Sequence, residues 1–177
     1  MSPDEVALHL VPPPGVTPNP YPPWRDQVYR IALAAMTGAL LLRGAALEAG
    51  WRDLLLPDVG ILAAATLAAS YFFLVWVEGW RWLVLGVSAA GIVSLPLSVD
   101  FGIGLLMAAA SVMAAKETHC FHFPSGRLIP WVSLAAAPLG LFPPLRPLYG
   151  AGLLVVGLLW VPLLYARFRM RLLSVSV

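Results

Sequence analysis

The sequence predicts an all-α fold: a polytopic membrane bundle of about six transmembrane helices with both termini cytoplasmic. Composition is the first reason. The chain has 177 residues, of which 60% are hydrophobic and 11% charged, with a mean hydropathy of +0.83. A soluble domain carries about 25% charged residues. A chain this short cannot bury so much apolar surface in one aqueous core, so lipid is its solvent. The second reason is length: a spanning helix needs about 20 mainly apolar residues, and Val59–Val77 and Leu148–Ala166 each supply 19 without a charge. The third is an uneven division of Lys and Arg between the two sides of the bundle.

Residues 1–27 form a Pro-rich cytoplasmic tail. Eight of them are proline, which removes donors and favours extended polyproline II. Asp4 and Glu5 stand where a signal peptide would be basic, and "VALHLV" is too short for its apolar core. Tyr21 and Trp24, beside the first span, have the amphipathic rings that dock a tail at the headgroup layer. The first span, 28–47, carries Arg30 and Arg43, and Arg43 is near enough to its end to snorkel. The second is 59–77. A tight turn around Glu78–Arg81 in "WVEGWRW" then leads into the third, 82–99, broken by Pro96. The three tryptophans of WVEGWRW read as part of an aromatic belt.

The fourth span, 101–122, has only 15 residues before its first charge. At 1.5 Å per residue these cover about 22 Å of a hydrocarbon core about 30 Å thick. The helix must therefore run on into "KETHCFHFPSG", and Pro124 and Gly126 end it. The fifth span, 128–142, contains Pro130 and Pro138. The sixth is 148–166, followed by a basic tail over 167–177. The transmembrane domain as a whole occupies 28–171. Six spans put the termini on one side with Arg25, Arg30, Arg81, Lys116, Arg127, Arg167, Arg169 and Arg171. The other side has Arg43, Arg52 and Arg146 together with Glu48, Asp53, Asp58 and Asp100. Eight basic residues against three place the first side in the cytoplasm and the protein in the cytoplasmic, or inner, membrane.

The densest chemistry lies at 116–122. On a helix, Lys116, Glu117, Cys120 and Met113 share one face, whereas Glu117 and His119 point about 160° apart. His119 and His122 are spaced to share an ion, but zinc takes three or four protein ligands and His9 lies in the tail. These two are the weak metal candidates, and neither metal nor cofactor is expected. Cys120, one turn from Lys116, sits at a helix C-terminus where the dipole disfavours a thiolate, so it reads as a small buried hydrophobe. Glu117, as a charge at membrane depth, needs a partner. Arg81 and then Arg127 are the expected ones, making a polar cluster of Lys116, Glu117, Cys120, Arg81 and Arg127. The cluster either locks helix ends together or holds a polar ligand at the cytoplasmic mouth.

At Lys116–Glu117 followed by Cys120–Phe121 the chain resembles an uncharacterised bacterial integral membrane family, domain of unknown function 2301, whose late helix ends in a K-E-x-x-C-F run. The likeness extends from about Gln27 onward, and His119 and His122 depart from it. The resemblance implies a small multi-span helical protein and supplies no activity. The residues add no Gly-rich phosphate loop, internal repeat or heptad, and no nucleic-acid partner is expected. Helices rich in Ala and Gly permit close approach, which favours a non-enzymatic accessory subunit or assembly factor of a larger membrane complex. The alternative is a small-solute transport component, which by size and helix count looks like the substrate-binding subunits of vitamin uptake transporters. A redox or metal-binding protein centred on 116–122 ranks third. An outer pocket near Arg43, Asp100 and Arg146 would point to transport, and a site around Glu117 to the accessory role.

Overall fold

A computed structural model describes residues 21–51, 56–75, 78–121 and 123–170. Six α-helices follow in order: α1 Pro23–Glu48, α2 Leu56–Tyr71, α3 Glu78–Ser94, α4 Val99–Phe121, α5 Ile129–Ala136 and α6 Arg146–Arg169. Short 3₁₀ segments at Pro124–Arg127, Ala137–Leu141 and Pro143–Leu145 bracket α5. Three stretches are long and apolar enough to cross a membrane: Pro23–Glu48, Val99–Cys120 and Pro143–Arg169.

The helix order agrees with the expectation, but several boundaries move. Helix α1 begins at Pro23 rather than 28, because proline suits the first helical position, where no donor is needed. Residues 1–20 of the expected tail lie outside the described residues. Within the tail's last stretch Tyr21 is buried, and its hydroxyl donates to the carbonyl of Phe72 at 2.9 Å. Helix α1 ends at Glu48, and two residues on Gly50 has a φ of +75° that suits a residue without Cβ. The Gly50 and Trp51 amides return to the carbonyls of Leu47 and Ala46 at 3.2 and 2.8 Å, a Schellman closure.

The span expected over 59–77 is a helix only to Tyr71. The aromatic run Tyr71–Phe73 has little helical preference, and Phe73 leaves the helix to bury itself against Tyr29. The expected turn at Glu78–Arg81 is instead the first turn of α3, so the reversal lies before Glu78. Trp80 and Trp82 are exposed there, and Trp76 falls outside the described residues. Helix α3 stops at Ser94, short of Pro96. With 16 and 17 residues, α2 and α3 are about 24 and 26 Å long. The fifth element is broken where Pro138 removes a donor, passing from α5 into the 3₁₀ turn of Ala137–Leu141. Helix α6 extends both ways beyond 148–166, taking in Arg167.

The helices form a ring in which each packs on its chain neighbour, α6 returns to α1, and α4 also touches α2. The α1–α6 crossing is a close one. A Cβ on Gly44 would lie 2.8 Å from the Leu154 amide nitrogen, and one on Gly157 2.7 Å from Leu41 Cδ2. Such small residues let two backbones meet. Buried Ile103, Leu106, Met107, Ala110, Met113 and Ala114 turn one face of α4 to the core, the i, i+3, i+4, i+7 pattern of a helix packed on one side.

Candidate functional site

The apolar stripes of three helices end in charge at one pole. On α1 the buried positions Met36, Leu33 and Tyr29 continue to Asp26. On α4 Ala110 and Met113 continue to Glu117. On α6 Leu153, Val156, Trp160 and Leu163 continue to Arg167. The N-terminal end of α1 and the C-terminal ends of α4 and α6 therefore meet, as antiparallel neighbours must.

Arg167 is the hub. Its Nη2 donates to Asp26 Oδ1 in a short contact, and its Nε lies 3.1 Å from Glu117 Oε2, with all three side chains wholly buried. The Nε pair has ion-pair separation but not hydrogen-bond alignment. Asp26 Oδ2 also accepts from Arg30, at 2.9 Å from Nε and 2.7 Å from Nη2. Glu117 Oε1 accepts from Lys116 Nζ at 3.0 Å and from the Tyr29 hydroxyl at 3.1 Å. Arg30 Nη1 reaches on to the carbonyl of Met170 at 2.8 Å. Lys116 Nζ stands 5.7 and 6.0 Å from the ring centroids of Phe73 and Tyr29, within cation–π range. Burial of such groups is tolerated when every charge has a partner.

Glu117 is thus buried and paired, but not with the expected arginines. Arg81 lies 3.6 Å from Glu78 on its own helix, with both side chains partly in the open, because the turn that would have brought it to Glu117 is helical. Arg127 is exposed at the end of its 3₁₀ segment. The residues the sequence reading missed are Arg167, Asp26 and Tyr29. Their signal is the continuation of each apolar stripe into a charged or phenolic residue.

The shared face of 113–120 divides. Met113 and Glu117 turn inward, while Lys116 and Cys120 line a cleft of about 310 Å³ with Phe73, Val75, Trp80, Val112, Ala115 and His119. Cys120 is half-buried rather than enclosed, and packs against Tyr21, as do Leu74, Phe123 and Met170. His119 is exposed, and His122 lies outside the described residues. Among the described residues no three His, Cys, Asp or Glu side chains converge as an ion would require.

The opposite pole holds looser pairs. Arg43 is buried 3.8 Å from Asp58 rather than snorkelling, because the N-terminal end of α2 presents a carboxylate to it. Asp100 stands 3.9 Å from Arg146. Arg43 Nε, Asp58 Oδ2 and the Tyr149 hydroxyl are buried without a hydrogen-bond partner. No family model, curated protein or solved structure matches the chain.

Proposed function

We propose that this chain is a multi-pass protein of the cytoplasmic membrane, a non-enzymatic accessory subunit or assembly factor in which a buried ionic clasp holds the spanning helices in register. The carrying observation is that Asp26, Glu117 and Arg167 come from the three helices of spanning length and meet at one pole, where Arg167 is shared between the two carboxylates and Arg30 and Lys116 add one cation to each. A charged group at membrane depth must be partnered, and here the partners consume the chemistry. The K-E-x-x-C-F likeness to domain of unknown function 2301 belongs to the same proposal, as do six membrane crossings with cytoplasmic termini. Supporting the sidedness, residues 23 and 169 sit at one pole, with Arg25, Arg30, Lys116 and Arg167.

A C-terminal reporter fusion tests the topology and should read cytoplasmic. A mild-detergent pull-down of the tagged full chain tests the role and should bring down a stoichiometric membrane partner. Recovery of the chain alone, or with a bound small molecule, would overturn the accessory reading. The unpartnered Arg43 Nε, Asp58 Oδ2 and Tyr149 hydroxyl favour a second reading, a small-solute transport component, in which a polar solute at that pole completes their hydrogen bonds.

A further inference from the structure

The cleft of about 310 Å³ beside the clasp lies between the start of α3 and the last turns of α4. Phe73, Val75 and Trp80 form one wall. Val112, Ala115, Lys116 and His119 form the other, the i, i+3, i+4, i+7 face of α4. Trp80, Ala115 and His119 are exposed, so the cleft opens outward. Its α4 wall changes character along its length. It is apolar at Val112 and basic by His119, about 10 Å nearer the charged pole.

Size, depth and charge each narrow the occupant. A helix is about 10–12 Å across with its side chains and does not fit a cavity at the small end of the ligand range of about 300–1,000 Å³, whereas one acyl chain does. The mouth sits at headgroup level. Trp80 and Trp82 are exposed in the first turns of α3, and the Arg81 guanidinium stands 5.4 Å from the Trp82 ring centroid, as stacked, amphipathic groups do at a membrane interface. The neighbouring clasp brings three cations, Arg30, Lys116 and Arg167, to two carboxylates, Asp26 and Glu117, and of these five side chains Lys116 lines the cleft.

We propose that the cleft binds one anionic phospholipid of the cytoplasmic leaflet. One acyl chain lies along Phe73 and Val112, and the phosphate sits at the rim, where the His119 imidazole and the Trp80 indole carry N–H donors. Lys116 keeps its ammonium on Glu117 at 3.0 Å and adds its charge from the wall. Basic pockets between membrane helices on the cytoplasmic side hold anionic headgroups in this way. A zwitterionic lipid would bring a cation of its own to a positive rim. The site rests on the membrane reading above.

The test uses the full chain in mild detergent, with native Cys120, which lines the same cleft, as reporter. Phosphatidylglycerol should slow the reaction of Cys120 with N-ethylmaleimide at a concentration about five- to tenfold lower than phosphatidylcholine of the same chains requires, the worth of about one net charge at the headgroup. Mass spectrometry of the intact complex should count one phosphatidylglycerol per chain. His119→Glu, at an exposed position, should erase the preference between the two lipids. Ala115→Trp should fill the cleft and remove the bound lipid from the count, and Val112→Phe is the second blocking variant should Ala115→Trp not fold. No protection, equal protection by the two lipids, or protection by inorganic phosphate alone overturns the lipid site and leaves the membrane reading intact. A lipid count indifferent to His119→Glu and to the blocking variants, or Cys120 shielded by a co-purifying protein, overturns it as well. A chain that stays soluble without detergent and ignores both lipids overturns the membrane reading and this site together.

Discussion

Replacing Arg167 by Met removes the charge while keeping a long apolar stem. Arg167, Asp26 and Glu117 are all fully buried, so the substitution strips one cation from two buried carboxylates. Each keeps a second cation, Arg30 for Asp26 and Lys116 for Glu117. Removing one partner of a buried pair costs about 3–5 kcal/mol, and the remaining cations hold the loss within that range rather than doubling it. That is a drop of about two to almost four decades in the folding constant. The control is Arg81→Met. Its pair with Glu78 spans 3.6 Å between side chains 29% and 60% exposed, and open pairs contribute about 0–1 kcal/mol. Unfolding in mixed micelles with rising denaturing detergent, followed by tryptophan fluorescence, measures both. Adding Glu117→Gln to Arg167→Met should recover part of the loss, since one stranded carboxylate is gone. Equal costs for Arg167→Met and Arg81→Met, or strict additivity in the double variant, would refute the clasp.

Four further outcomes follow from local geometry. Gly38→Ala, with nothing within 4 Å of its added Cβ, should stabilise α1 by about 0.5–1 kcal/mol. Gly44→Ala drives the same atom to 2.8 Å from a backbone nitrogen of α6 and should cost about 1–3 kcal/mol by overpacking; the same unfolding assay reads both. Gly50→Ala should cost about 1 kcal/mol, because its φ of +75° is strained for a residue with Cβ. Cys120, half-buried against Tyr21, should react with a membrane-impermeant maleimide far more slowly than a cysteine placed at exposed position 119 in a Cys120→Ala background. Equal rates would mean the thiol is open.

The helices were legible because uncharged runs and prolines are local features. So was the burial of Glu117, which follows from its distance along α4. Its partner was not, since Arg167 lies fifty residues on and meets Glu117 only because α6 closes the ring. Read as a flanking basic residue, Arg167 looked like Arg169, yet it continues the stripe of Trp160 and Leu163 and Arg169 does not. The sequence points to Arg81 by its nearness to an expected turn, but Glu78 already begins α3 and carries Arg81 along that helix. The shortening of α2 was also out of reach, because it depends on Phe73 finding Tyr29 across the bundle.

Closure of the ring by α6 orders the birth of the protein. Synthesis delivers Asp26 first, Glu117 some ninety residues later and Arg167 last. Until Arg167 arrives, the nascent bundle carries two carboxylates short of their shared cation, and α1 lacks its packing against α6. A polypeptide stopped before α6 lacks Arg167, so its pole holds Asp26 and Glu117 with Arg30 and Lys116 alone.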